Sequence, residues 1–229
     1  MVLRRERDAA DPSRAPAVSL VLTFITSLLL GMRHATDPDH IVAVSTIVSR
    51  ERSVAKASGI GMLWGVGHTL TIFVVGGAII IFKVALTPRI GLSLEFAVAV
   101  MLLVLGTLNL MDVRPAPTRA AGARPFIIGV VHGLAGSAAA TLLILPLIDD
   151  VRWAMLYLVV FGVGTIVGMA LITIAIAAPA AFAAARVASL QRWIRVGSGT
   201  LSLAFGCYLA VRIGIVDGLF GAHPNWTPQ

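Results

Sequence analysis

The stretch G31-M-R-H-A-T-D-P-D-H-I41 decides the fold, because it puts titratable side chains into a very apolar part of the chain. Leu28–Leu30 precede it and Ile41–Val44 follow it. An ionised aspartate at the centre of a membrane helix costs ~3 kcal/mol. The two aspartates of this stretch would therefore cost an amount comparable with a protein's whole net stability. The stretch predicts a bound cation or a water-filled cavity beside these side chains.

The composition is that of a membrane protein. Of 229 residues, 58% are apolar and only 13% are charged, whereas soluble domains are about a quarter charged. The formal charge is +7, but the basic residues fall between apolar segments. This pattern indicates membrane topology and argues against nucleic acid as a partner. The lipid bilayer is the expected partner, and the single cysteine, Cys207, excludes an intrachain disulfide.

Apolar segments predict an all-α integral membrane protein with about seven transmembrane helices. A crossing needs roughly 20 residues, so the first two segments are short. We expect a cytoplasmic tail over 1–14, a transmembrane domain over 15–216 with a flexible loop 113–125 between its halves, and a tail over 217–229. The apolar segments lie at 15–32, 35–49, 58–82, 91–112, 126–148, 154–183 and 197–216.

The basic residues predict the path of residues 17–49. If this region is a hairpin of two crossings, the loops on one side hold thirteen lysines and arginines and those on the other side hold three. A single crossing would give nine against seven. The positive-inside rule favours the hairpin. We therefore expect a multi-pass protein of a bacterial-type plasma (inner) membrane, with its N-terminus cytoplasmic and its C-terminus outside.

Two pairs of short motifs indicate an internal repeat. G-M-R-H-A at 31–35 matches G-V-V-H-G at 129–133, and W-G-V-G-H-T at 64–69 matches F-G-V-G-T-I at 161–166. The offsets, 98 and 97 residues, are nearly equal. The repeat pairs segments two to four with segments five to seven. Three crossings per unit make it an inverted three-helix repeat, which is typical of transporters with a midplane site.

Pro38 predicts a helix break that gathers the polar side chains. Proline has no N–H and clashes with the carbonyl four residues earlier, so a second helix should start there with Asp37 as its N-cap. Asp39 and His40 then fall in the first turn, and His34 lies just before the break. Asp37 can be a ligand or only a cap, and both interpretations stay open.

Two further histidines lie in predicted membrane segments. His68 follows Gly65 and Gly67, and His132 begins another glycine-rich stretch, equivalent to His34 in the repeat. Imidazole and carboxylate donors without a thiolate suit nickel, cobalt or zinc and are too rich in nitrogen for magnesium or calcium. The candidate metal ligands are His34, Asp37, Asp39, His40, His68 and His132.

The same residues carry a family resemblance. R-H-A-T-D-P-D-H-I resembles the H-x4-D-H signature of nickel/cobalt transporters (the NiCoT or NicO type), with His34, Asp39 and His40 at its defining positions. L-W-G-V-G-H-T is similar to that family's G-H-[ST] motif, here Gly67, His68 and Thr69. The resemblance covers about residues 28–75. It implies secondary transport of Ni²⁺ or Co²⁺ as substrate, with no permanently bound cofactor.

The later segments resemble the smaller members of that family. They contain G-V-V-H-G-L-A-G-S and F-G-V-G-T-I-V-G without an acid, as in relatives associated with urease maturation or metal resistance. Nickel, cobalt and zinc stay open as the ion, and import and export stay open as the direction. The many small residues would permit close contacts in a homo-oligomer.

Two other functions are alternatives. H-x4-D also occurs in membrane acyltransferases, where Asp39 would orient His34 as a base. However, an acyl-acceptor motif and a soluble catalytic domain are missing, and H-E-x-x-H is absent. We therefore expect no enzyme. A metal-sensing or metal-delivery partner of another membrane complex is the second alternative.

Overall fold

The structure, a computed structural model, describes residues 14–83, 86–113, 119–144, 150–186 and 189–226, and every regular element in these ranges is a helix. Two single π-helical turns, Ile72–Gly76 and Arg212–Val216, continue the helices that precede them. The helices are α1 (Arg14–His34), α2 (Pro38–Val48), α3 (Val54–Thr71), α4 (Gly77–Phe82), α5 (Pro88–Leu110), α6 (Arg119–Ile144), α7 (Val151–Arg186) and α8 (Leu190–Val211).

Four helical stretches among the described residues are long and apolar enough to cross a membrane. Shorter apolar helices lie at Val21–His34, Pro38–Val48 and Gly122–Ala135. The prediction of an all-helical membrane protein is therefore confirmed. The four long stretches are Val54–Phe82, which joins α3 to α4 through the first π turn, Pro88–Leu110, Val151–Ala183 and Leu190–Val216.

One expected boundary differs in the structure, namely the end of the loop between the two halves. Residues 119–125, expected in the loop between the halves, form the first turns of α6, whereas the expected tail 1–14 lies outside the described residues except for Arg14. The last helical stretch ends at Val216. The tail then folds back on α5, where Trp226 covers Gly91 and donates its indole N–H to Glu95 at 2.8 Å.

Helix α1 runs parallel to α7. Phe24 stacks near Trp153 with ring centroids 5.9 Å apart, and the Ser27 hydroxyl donates to the Tyr157 carbonyl at 3.0 Å. Further along both helices, Gly168 packs on Ala35. Residue numbers increase together, so α1 and α7 start at the same end of the bundle. We call this end, where α5 and α7 begin, the front end, and the opposite one the rear end.

Helix α2 continues in the direction of α1. Its first turn, with Asp39, lines a cavity together with Glu95 of α5, and Ser49 after its last turn bonds to Asn109 near the end of α5. Helices α2 and α5 are therefore parallel. Helices α3 and α6 lie side by side and run in the opposite direction to α7. The Thr71 hydroxyl of α3 donates to the Val130 carbonyl of α6. Gly61 and Gly65 of α3 contact α7 in antiparallel order.

The expected hairpin over residues 17–49 is wrong. Helices α1 and α2 follow each other from the front end to the rear end as one interrupted path. A hairpin would pack α1 against α2, but α1 packs on α7 while α2 packs on α5, α7 and α8. The charge count favoured the hairpin because it gave full weight to the arginines of the N-terminal tail. Side-chain packing on α7 decides the direction instead.

Equivalent close contacts occur twice in the bundle. A Cβ on Gly31 of α1 would meet the Phe161 carbonyl and the Thr165 amide of α7, and one on Gly129 of α6 would meet the Trp64 carbonyl and the His68 amide of α3. Each partner of Gly31 lies 97 residues after the corresponding partner of Gly129. Glycine is required at both positions because two backbones touch there.

Candidate metal centre

The interruption between α1 and α2 lies where the sequence predicts it. Helix α1 ends at His34, and α2 begins with Pro38 in its first turn and Asp37 as N-cap residue. Asp37 has extended backbone angles, φ −61° and ψ 145°, because the ring of a following proline disfavours the helical conformation. The break faces His34 and the first turn of α2 into the same space.

Asp37 caps α2 by position but not by its side chain. Its carboxylate makes no hydrogen bond to the first amides of α2. Instead, Oδ2 lies 2.8 Å from Nδ1 of His34 and accepts a hydrogen bond from its N–H. In a neutral ring this leaves the lone pair on Nε2. Asp37 therefore orients His34. This is a third role, beside the helix cap and the metal ligand that the sequence left open.

Four histidine rings from four helices form one cluster. His34 comes from α1, His40 from α2, His68 from α3 and His132 from α6. The centroid of the His40 ring lies 4.2 Å from that of His132, 4.7 Å from His34 and 5.1 Å from His68. His40, His68 and His132 are at most 1% exposed. The structure thus brings together the four histidines that the sequence nominated.

Asp39 joins the cluster through His132. Its Oδ2 lies 2.9 Å from Nε2 of His132, and its Oδ1 accepts the backbone N–H of His40 at 3.0 Å. On the other side of the cluster, Nε2 of His34 lies 3.0 Å from Nε2 of His68. One of these two nitrogens must carry a proton, and since Asp37 accepts from Nδ1 of His34, His68 donates.

Several ring nitrogens of the cluster are buried without a hydrogen-bond partner among the described residues. They are both nitrogens of His40 and Nδ1 of His68 and of His132. Nδ1 of His40 lies 3.2 Å from Oδ1 of Asp39, but the two atoms are not aligned for a hydrogen bond. Leaving a buried polar group unsatisfied costs about 1–3 kcal/mol. Each neutral ring carries one lone pair, and a cation that accepts these lone pairs would offset part of that cost.

The donors form two groups of three that could each hold a metal ion. Within each group, one donor atom per residue lies within 4.8 Å of the others. The first group is His34, His40 and His68, and the second is Asp39, His40 and His132. Asp37 belongs to neither group, because it lies behind His34. Nitrogen and oxygen donors without sulfur suit nickel, cobalt or zinc.

A cavity of about 380 Å³ connects the cluster with the front end of the bundle. The side chain of Asp37 is 44% exposed and that of Asp39 is 30% exposed, so both carboxylates are accessible through this cavity. Its lining residues come from the first turn of α2, the front parts of α5 and α8, and α6. Among the lining residues are His34, Asp37, Asp39, His40, Glu95, His132 and Arg212.

The sequence did not assign Glu95, Arg212 or Trp64 to the site. Glu95 and Arg212 line the front cavity, and Trp64 is fully buried with its ring 5.5 Å from those of His40 and His132. The spacing of Trp64 and His68, four residues apart on one helix face, is a signal that could have found it. Glu95 is the acid within α5, but nothing local connects it to α2.

A separate pocket of about 270 Å³ opens at the rear end. Thr46, Leu105 and Ile128 line it, whereas His40, Val98 and His132, one or two turns away on the same helices, line the front cavity. Val42, Ala43 and Leu102 lie buried between the two spaces. The cluster is therefore open toward the front and closed toward the rear by an apolar layer.

The comparisons with known proteins give one relative of nearly full length. The chain is 31% identical over 221 residues to the urease accessory protein UreH of Bacillus sp. (strain TB-90). The alignment covers 89% of this chain and 96% of that relative. No family model matches the chain. No solved structure matches it.

Proposed function

Since the chain belongs to the family of the urease accessory protein UreH, we propose that it is a membrane transporter of divalent transition-metal ions, nickel or cobalt. The observation that carries the proposal is the histidine cluster with Asp39, reached by a cavity from the front end of the bundle. Polar groups inside a membrane domain are costly and mark ion pathways. His34, Asp39, His40, His68 and His132 are the proposed ligands, and Asp37 is a positioning residue.

The duplicated contacts support an inverted repeat. The path through α1 and α2 corresponds to α6, α3 to α7, and α5 to α8. Corresponding helices run in opposite directions, because α1 is parallel to α7 whereas α6 is parallel to α3. Each unit then contributes three crossings, and His34 and His132 are equivalent residues at the interface of the units. Transporters with inverted repeats bind their substrate at this place.

The proposed transmembrane domain has six crossings, one fewer than the sequence predicts. The single path through α1 and α2 accounts for the difference. With this path the rear loops carry nine lysines and arginines and the front side carries seven. The rear end is then the cytoplasmic one by a small margin, and both termini lie on the opposite side.

The two ends of the bundle support alternating access. The front cavity reaches the cluster, whereas the buried layer around Leu102 separates it from the rear pocket. At the rear end, Asp112 accepts from Arg50 at 2.7 Å and from Arg195 at 3.1 Å. These ion pairs tie the segment after α2 to α5 and α8. Release toward the rear requires this end to open.

Nickel and cobalt fit the donor set equally well. A role near urease, which the relative's name indicates, favours nickel as the cargo. If transport is inward, the membrane potential supplies ~2.3 kcal/mol per charge per 100 mV. We propose import through the front cavity, because its carboxylates attract a dication to the open end.

The test is uptake of Ni²⁺ and Co²⁺ into liposomes that contain the purified full chain and an internal metal-sensitive dye. Wild type should load the dye, and His40→Ala should lose nearly all uptake, because His40 belongs to both donor groups. His223→Ala is the matched control, because His223 is exposed and outside the cluster. Undiminished uptake by His40→Ala would contradict the assignment.

The same assay separates the other two functions. If purified wild type binds metal but moves none, the chain is a delivery or sensing partner of another protein. The acyltransferase alternative needs a His34–Asp39 pair, but His34 bonds to Asp37 and Asp39 bonds to His132. The geometry therefore favours transport over that enzyme.

A further inference from the structure

We propose that the cluster is two successive sites for one metal ion, an access site formed by Asp39, His40 and His132 and an occluded site formed by His34, His40 and His68, with His40 passing the ion between them. The inference rests on the proposed function and deepens it. It follows from the two donor groups, which share one residue, and from their different positions relative to the front cavity.

The access site faces the front cavity. All three of its residues line that cavity, and Asp39 is its exposed member. Its carboxylate provides the negative charge that draws a hydrated dication out of water, and an oxygen donor tolerates partial hydration. Glu95 lines the same cavity and adds a second carboxyl group on the way in. Asp39 is therefore the carboxylate donor that an ion arriving from the front end can reach.

The occluded site reaches deeper, because its third donor lies behind His34 and His40, which line the front cavity. His68 is fully buried and does not line the front cavity. The backbone of α6 seals it, since a Cβ on Gly129 or Gly133 would meet the backbone of His68. Its three donors are all imidazoles, which suit late first-row metals better than magnesium or calcium. This second site would therefore select nickel or cobalt after the first has captured any small dication.

His40 is suited to pass the ion because neither of its nitrogens has a hydrogen bond to any residue that the structure describes. Its ring contacts that of His132 at 4.2 Å and those of His34 and His68 at 4.7 and 5.1 Å, so it is within reach of the other donors of both sites. A neutral imidazole has one lone pair, so His40 serves one ion at a time. The two sites are therefore alternatives, and the expected stoichiometry is one ion per chain.

Asp37 prepares the occluded site. Its carboxylate accepts a hydrogen bond from Nδ1–H of His34. The lone pair of His34 is therefore on Nε2, which points at His68. A carboxylate behind a ligating histidine fixes its tautomer and orientation. The access site lacks this arrangement, because its carboxylate, Asp39, is itself a donor.

The experiment uses Co²⁺ as probe on the detergent-purified full chain, with its visible absorption spectrum and the rate at which EDTA removes it as readouts. His68→Gln leaves only the access site complete, and His132→Gln leaves only the occluded one. Each should keep one Co²⁺ per chain at an affinity about tenfold lower or more, or ~1.4 kcal/mol. EDTA should strip His68→Gln at least tenfold faster than His132→Gln, and the two spectra should differ.

Both variants should lose uptake, because each blocks one step of the passage. Identical spectra and equal EDTA rates in the two variants would overturn the two-site inference and leave one shared site. Loss of all binding in both variants would overturn it too, provided that gel filtration shows that both are folded. If the glutamine variants are not folded, His68→Asn and His132→Asn replace them. If wild type itself binds no Co²⁺, the proposed function fails instead, so the two failures are distinguishable.

Discussion

His40 shows how one residue combines sequence signal and tertiary role. The motif names it as a metal ligand, but the residues that give it this role, His68 and His132, come from distant helices. With no partner for either ring nitrogen among the described residues, a buried histidine has little structural purpose. Its burial without hydrogen bonds is the residue-scale reason to expect a ligand there.

Metal binding should weaken as the pH falls. A proton and a metal ion compete for the same imidazole lone pair, and the Asp39 carboxylate must be ionised to bind, so binding releases protons. The direction is therefore loss of affinity with acidification. Titrating Co²⁺ binding from about pH 8 down to about pH 4 checks this. Affinity that stays constant over this range would show that the histidines are not the donors.

At the scale of elements, two features position the site: the interruption at Pro38 and the close approach of α6 to α3. The first is local, because proline and its preceding residue dictate it. The second depends on glycines that let backbones touch at Gly67, Gly129 and Gly133. Gly129 and Gly133 bring α6 against the backbone of His68, and His132, on the same helix, then lies beside His40.

Gly129→Ala should destabilise the protein, because a Cβ there would meet the backbone of Trp64 and His68. Overpacking costs about 1–3 kcal/mol, which corresponds to a fall in Tm of roughly 2–10 °C for a chain of this size. Gly122→Ala on the same helix is the control, since nothing lies within 4 Å of its Cβ. Thermal unfolding of the purified variants, followed by tryptophan fluorescence, gives the answer. Equal Tm values for the Gly129→Ala and Gly122→Ala variants would mean that α6 and α3 lie further apart than the contact at Gly129 indicates.

Asp112→Asn should loosen the rear end without unfolding the protein. It removes the ion pairs with Arg50 and Arg195, but exposed pairs contribute only about 0–1 kcal/mol to stability. Asp112 has a φ of 56°, which asparagine also tolerates. In a Cys207→Ala background, Ser198→Cys should react faster with a membrane-impermeant maleimide after this change.

The control for this labelling is Asp150→Asn, a matched change before α7, at the front end. It should leave the labelling rate of Ser198→Cys at its starting value, because the Asp150 carboxylate accepts the backbone N–H of Arg152 two residues away, at the opposite end of the bundle from Ser198. Equal rates in both variants would show that the Asp112 pairs do not hold the rear end closed.

For the whole molecule, the decisive feature is the direction of α1. Its parallel packing on α7 joins α1 and α2 into one path, as the proposed repeat requires. The cluster then lies where the halves meet, open toward the front and closed toward the rear. This arrangement turns a metal-binding motif into a candidate transport pathway.

The proposed six crossings would place both termini on the same side of the membrane. Tags at the N-terminus and the C-terminus should react alike with impermeant reagents on intact cells, and a tag inserted between residues 113 and 119 should react oppositely. The insertion is the internal control for membrane integrity. Opposite behaviour of the two terminal tags would restore the seven-crossing topology that the charge count predicts.

The sequence by itself determined the membrane class, the break at Pro38 and the donor chemistry, because these follow from composition and from neighbours a few residues apart. It also nominated all four histidines of the cluster. Only the tertiary structure decided that α1 runs with α7, that Asp37 bonds to His34, and that Asp39 bonds to His132. Each of these depends on contacts between helices, and the packing that selects one contact over another leaves no pattern within a single segment.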